Sequence, residues 1–76
     1  MNRTYNALDL QEAKSNNTLK IGDHVTYDPI NPIENGDFKT LESFKKFLSR
    51  ISTFKHLIGE DYTMSWRFYE ITELKD

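Results

Sequence analysis

The chain has 76 residues, a net charge of −2 and no cysteine. Disulfide staples and thiolate zinc sites are therefore excluded, and an apolar core must hold the fold together. A chain of this length buries only about 60% of the surface it exposes when unfolded, so a single domain over 1–76 with a narrow stability margin is expected. The hydrophobic fraction is only 37%, but 13% of the residues are aromatic. Each ring buries roughly 150–250 Å², which argues for a small packed core and against disorder.

In chain order, Asn6 is placed to cap a short helix through Ala7, Leu8, Leu10, Gln11 and Ala13, most of them good helix formers. A strand from Thr4 to Leu10 is the alternative, and the helix is preferred. Ser15, Asn16 and Asn17 form a loop in either case. His24 to Tyr27 alternates as a strand, with Val25 and Tyr27 on one face. Pro29 and Pro32 then deny the chain two ladder donors and make the next stretch irregular. Asn35-Gly36 predicts a tight reversal with positive φ at one or both residues, sending Asp37 to Lys39 back beside Ile30 to Ile33.

Thr40 and Glu42 mark a helix start. Leu41, Phe44, Leu48 and Ile51 follow at helical spacing, Phe47 widens the stripe, and Phe54, Leu57 and Ile58 extend it to a C-capping Gly59. The spacing predicts one helix from Leu41 to Ile58, bent near Ser52-Thr53. Lys45, Lys46 and Arg50 are expected on its solvent side. Glu60-Asp61 reads as a loop. Tyr62 to Leu74 is the longest β-like segment, with Met64, Trp66 and Phe68 on one face and Tyr69 and Ile71 on the other. A strand apolar on both faces is central, bulged, or free on one face for a partner. The predicted fold is a small two-layer α+β domain. A short antiparallel sheet packs on one long amphipathic helix (41–58), with Phe44, Leu48 and Ile51 against Trp66 and Phe68, and a short N-terminal helix is added.

The residues that carry catalysis are sparse. There are two histidines, His24 and His56. His56 falls in the predicted helix, where a solvated imidazole is expected. Asp23 and His24 are neighbours on a strand and so point to opposite faces, which makes a poor acid–base pair. Three glycines, none clustered, give no phosphate-cradling loop. Asp23, Asp28, Glu34 and Asp37 are scattered between prolines and do not resemble a calcium loop. No metal, cofactor or enzymatic activity is expected.

Charge says more about partners. Lys39, Lys45, Lys46, Arg50 and Lys55 face a single acid, Glu42, so 39–56 carries +4, while the remainder carries five bases against eleven acids, or −6. One reading is contact with the acidic surface of a larger protein. The other is a nucleic-acid-binding accessory protein that uses a basic helix over 39–56, against which the isoelectric point of about 5.6 argues. On the final strand, Arg67, Tyr69 and Ile71 would form a second candidate patch, Arg and Tyr being frequent in binding hot spots. The candidate partner-binding residues are therefore Lys45, Lys46, Arg50, Arg67 and Tyr69. A homodimer made by pairing exposed strand edges is a third, minor reading.

Met1 to Asn17 contains no apolar run like that of a signal peptide, and no stretch approaches the roughly 20 apolar residues of a membrane span. A complete cytoplasmic product without membrane contact is expected, and the Asn-X-Thr sequons at Asn2 and Asn16 are discounted. In size and composition (cysteine-free, Asn- and Lys-rich, aromatic-heavy) the chain resembles small accessory proteins of bacteriophages and mobile elements. That resemblance rests on no diagnostic motif. It implies an inhibitor or adaptor that occludes a surface on a larger host protein, anti-defence inhibitors included, in the host cytoplasm.

Overall fold

The structure, a computed structural model, describes residues 2–58 and 66–75. Its elements are β1 (Thr4–Tyr5), α1 (Ala7–Ser15), β2 (His24–Tyr27), α2 (Leu41–Ile51), β3 (Ser52–Ile58) and β4 (Arg67–Leu74). Together they make a mixed α+β fold of two helices on a four-stranded sheet of order β1-β2-β4-β3. β1 runs parallel to β2, whereas β4 is antiparallel to both β2 and β3. The sheet is thus mixed where an antiparallel one is predicted. α2 carries the chain over β4, so that β2 and β3 run the same way with β4 between them, a split βαβ arrangement.

Both readings of the N-terminus contribute. Thr4 and Tyr5 pair with His24 and Val25, and the helix begins two residues later. Asn6 is extended (φ −88°, ψ 177°), and its side-chain oxygen accepts the Asp9 N–H at 2.9 Å, satisfying one of the helix's orphan donors. The helix stops where Asn17 turns left-handed at φ 59° and the Thr18 N–H reaches back to the Ala13 carbonyl at 2.8 Å. Asparagine tolerates that conformation better than other non-glycine residues.

α2 begins as predicted: Thr40 is extended and its Oγ1 accepts the Ser43 N–H at 3.2 Å. It ends at Ile51, however, seven residues short of the predicted Ile58. Ser52 still donates its N–H to the Leu48 carbonyl but is itself extended at φ −159°. Its hydroxyl donates to the same carbonyl at 3.2 Å, a local bond that competes with helix continuation. Thr53 and Phe54, both β-favouring, then enter the sheet directly. The predicted Gly59 cap, the Glu60-Asp61 loop and the stretch from Tyr62 to Met64 lie outside the described residues.

The core lies between helices and sheet. Val25 stands opposite Tyr69 and beside Tyr5 in the ladder, and cross-strand partners share a face. Those three residues and Ile71 join Ala7, Leu10, Phe44 and Leu48 in one buried cluster, so both helices cover the same face. The Phe44 ring lies 5.2 Å from Tyr27 and 5.9 Å from Tyr69. The predicted contacts with Trp66 and Phe68 are not made. Phe68 pairs with Thr26 and Leu57, which places it on the other face together with Trp66, 6.2 Å away. β4 is nonetheless central, and its register shifts against Thr53/Phe54.

Gly36 has the predicted positive φ, 68°, and Asp37 follows at 66°. No hairpin forms, because residues 29–30 and 32–37 are successive turns with no strand among them. The Asn35 side chain, fully buried, closes this loop. Its Oδ1 accepts the Asp28 N–H at 3.0 Å, and its Nδ2 donates to the Asp28 carbonyl. At Gly36 a Cβ would sit 3.6 Å from Phe38, an ordinary contact, so backbone conformation alone demands glycine here. Gly36→Val is expected to cost about 1–2 kcal/mol through left-handed strain. That should lower the thermal midpoint by several degrees, and an unchanged midpoint would contradict the assignment.

Candidate functional site

The five sequence-predicted residues do not share one fate. Tyr69 is fully buried, which corrects its expected exposure. Its register opposite Val25 turns it toward α2, and Ile71, likewise buried, follows it. The Arg67–Tyr69–Ile71 surface patch therefore does not exist. Lys46 and Arg50 are exposed on the outer side of α2, as expected. Lys45 is not: it is half-buried, with its ammonium 6.0 Å from the centre of the Tyr69 ring. At 3.6 residues per turn, Lys45 follows buried Phe44 by about 100°, which puts it on the helix flank.

His56 completes this arrangement. It is on β3, not on a helix, and its register opposite Tyr69 lets the two rings stack at 4.9 Å and 21°. Arg67 pairs with Tyr27 and Ile58 in the ladder and so lies on the Tyr69 face. Three basic side chains from α2, β3 and β4 thus gather around one buried phenol. The predicted basic helix over 39–56 is correspondingly divided, with Lys45, Lys46 and Arg50 on α2 and Lys55 and His56 on β3.

The electrostatics follow from this geometry. Slight desolvation, then Lys45, then Arg67 hold the exposed His56 imidazole below its ordinary value of 6.5, because desolvation and nearby cations both oppose a further positive charge. Burial raises the Tyr69 phenol above 10.0, opposed by Arg67 and reinforced by Tyr27. The phenol stays neutral at pH 7, and its buried hydroxyl has no hydrogen-bond partner among the described residues. The positive potential that opposes protonation of His56 comes from Lys45 and Arg67, and that potential favours an anionic group. The linkage sign is set by the depressed value: the folded form binds the His56 proton less readily than the unfolded chain does. The small contribution of His56 to stability is therefore fully present above pH 6.5 and is lost as pH falls through the folded value. Lys45→Met should raise the His56 value toward 6.5 in an NMR titration of the imidazole. An unmoved titration would separate Lys45 from this cluster.

Beside the cluster, Tyr27, Pro29, Leu41 and Arg67 line a depression of about 220 Å³, which connects it to the 28–37 loop. Asp23, weighed as a partner for His24, has another task. Its buried carboxylate accepts the Arg3 N–H at 3.0 Å and the Lys20 N–H at 2.9 Å, tying β1 to the loop before β2. Among the described residues no group of three or more His, Asp or Glu is arranged to hold a metal ion, and no helix is long and apolar enough to cross a membrane. Comparisons with family models, curated proteins and solved structures find no match to the chain.

Proposed function

We propose that this chain is a small, non-enzymatic protein-binding module, an inhibitor or adaptor that occludes a surface on a larger protein. The observation that carries this reading is the convergence of Lys45, His56 and Arg67 around Tyr69 from three separate elements. Such a surface favours an acidic partner and accelerates association with it. Lys46 and Arg50 extend the positive field outward along α2. The binding role is preferred to catalysis because Asp23 is engaged by backbone donors and lies on no shared face with His24. The cytoplasm is the proposed setting, and the phage-accessory style would make the target a host protein such as a defence component.

An edge-to-edge homodimer is less well supported. The two-residue β1 offers little template, and β3 carries Lys55 at its centre, where antiparallel self-pairing would set two lysines against each other.

The test uses the partner that co-purifies with the parent chain from host extract. Lys45→Glu/Arg67→Glu should weaken binding by about 100-fold or more, in the range of close interfacial charge pairs. Lys46→Glu/Arg50→Glu should mainly slow association. Neither pair replaces a residue of the buried cluster, and the melting temperature verifies that the fold persists. Parent-like affinity in the first pair would remove the basic cluster as the contact surface, and recovery of no partner by the parent chain would remove the protein-binding reading itself. Affinity falling log-linearly and steeply with salt for a recovered nucleic acid would favour phosphate binding instead.

A further inference from the structure

We infer that residues 28–37 form a preorganised binding loop whose Ile30 and Ile33 enter an apolar depression with a basic rim on the partner protein. This rests on the protein-binding reading but concerns a different surface. Ile30 and Ile33 are 71% and 72% exposed, the most exposed large hydrophobic side chains among the described residues. Isolated exposed apolar residues are ordinary. Here two lie three positions apart on a loop that is held in shape from within.

Several constraints hold it. Pro29 and Pro32 fix their own φ angles. The buried Asn35 side chain bonds both the N–H and the carbonyl of Asp28. The Asp28 carboxylate accepts the Ile30 N–H at 2.9 Å, and the Asp37 N–H donates to the Pro32 carbonyl at 2.8 Å. A loop closed at its ends and ordered before binding loses little further entropy when its side chains are buried.

Charge and shape select the occupant. Asp28, Glu34 and Asp37 are the only charged residues of 28–37, so the two isoleucines sit within a net −3. An anionic lipid surface would repel that loop, whereas a protein depression bordered by Lys or Arg would attract it. A second copy of this chain offers its own depression at Tyr27, Pro29, Leu41 and Arg67, but Pro29 belongs to the same acidic loop, so seating one loop there would oppose the negative charges of two such loops. Pro29 also borders the depression shared with Arg67, so one partner can span the loop and the basic cluster.

The full chain carrying Ile30→Ser/Ile33→Ser is compared with the parent against the purified co-purifying partner, and Ile33→benzoylphenylalanine is photo-crosslinked to it. The expected results are an unchanged melting temperature, affinity lowered by about 100-fold or more, and adducts in an apolar depression edged by Lys or Arg. Parent-like affinity of the serine variant would overturn the loop. So would adducts only to a second copy of this chain, or serine-sensitive co-sedimentation with phosphatidylcholine–phosphatidylserine vesicles. If Lys45→Glu/Arg67→Glu weakens binding and the serine pair does not, the loop fails and the basic surface stands; the reverse pattern removes the basic surface alone. If the parent recovers no partner, both fall.

Discussion

Replacing Phe44 with alanine is expected to destabilise the protein by about 3–5 kcal/mol, the usual cost of deleting a buried ring. The ring is fully buried, with Tyr27, Phe38 and Tyr69 all within 6 Å of it. It therefore joins α2 to both central strands and to the segment before the helix. Its removal leaves a cavity among three aromatic rings that each packed on it. In a chain of 76 residues, total stability is on the order of 5–10 kcal/mol, so much of the native population should be lost. Urea unfolding would read this as a large fall in midpoint with little change in slope. A midpoint near that of the parent would mean that α2 presents a different face to the sheet.

Asn35→Ala is the second large effect expected, at about 1–3 kcal/mol, from leaving the part-buried Asp28 N–H without its acceptor, while the Asp28 carbonyl keeps only the Asn31 N–H at 3.3 Å. The carboxamide is 1% exposed, so water cannot readily replace it. Because it clamps the loop that carries Ile30 and Ile33, the loss should also appear locally, as faster hydrogen exchange at the amides of Ile30, Asn31 and Asp37. Asn35→Asp makes a useful comparison: it keeps the acceptor for the Asp28 N–H but gives up the donor to the Asp28 carbonyl. Protection equal to the parent in the alanine variant would show that the prolines and turns hold the loop unaided.

The parts legible in the sequence are those governed by local chemistry. Asn6 and Thr40 cap because their side chains reach the next orphan N–H groups, and Gly36 takes the left-handed conformation that its turn requires. The end of α2 was not legible from apolar spacing, because Phe54, Leu57 and Ile58 satisfy a helical stripe while also lying in a β-favouring run. Ser52-Thr53 was the available signal, read as a bend where the chain in fact changes element. The inward face of β4 was hidden for a related reason. Trp66 and Phe68 on one side and Tyr69 and Ile71 on the other are equally apolar, and only the pairing with Val25 distinguishes them. Lys45 and Arg67 stand out in the sequence by charge and residue type, whereas the place of His56 beside them does not, because the apolar spacing puts it on a helix. Tyr69 was named for the wrong role: it is the buried support around which the basic groups assemble.

The most direct test of the account maps the contact surface itself. An amide NMR spectrum of labelled chain, recorded with and without the purified partner, reports every element at once. The account predicts that perturbations concentrate at Lys45, His56 and Arg67 and at Ile30, Asn31 and Ile33. Perturbations confined to Thr26, Lys55, Leu57 and Phe68, on the sheet face opposite the helices, would contradict it.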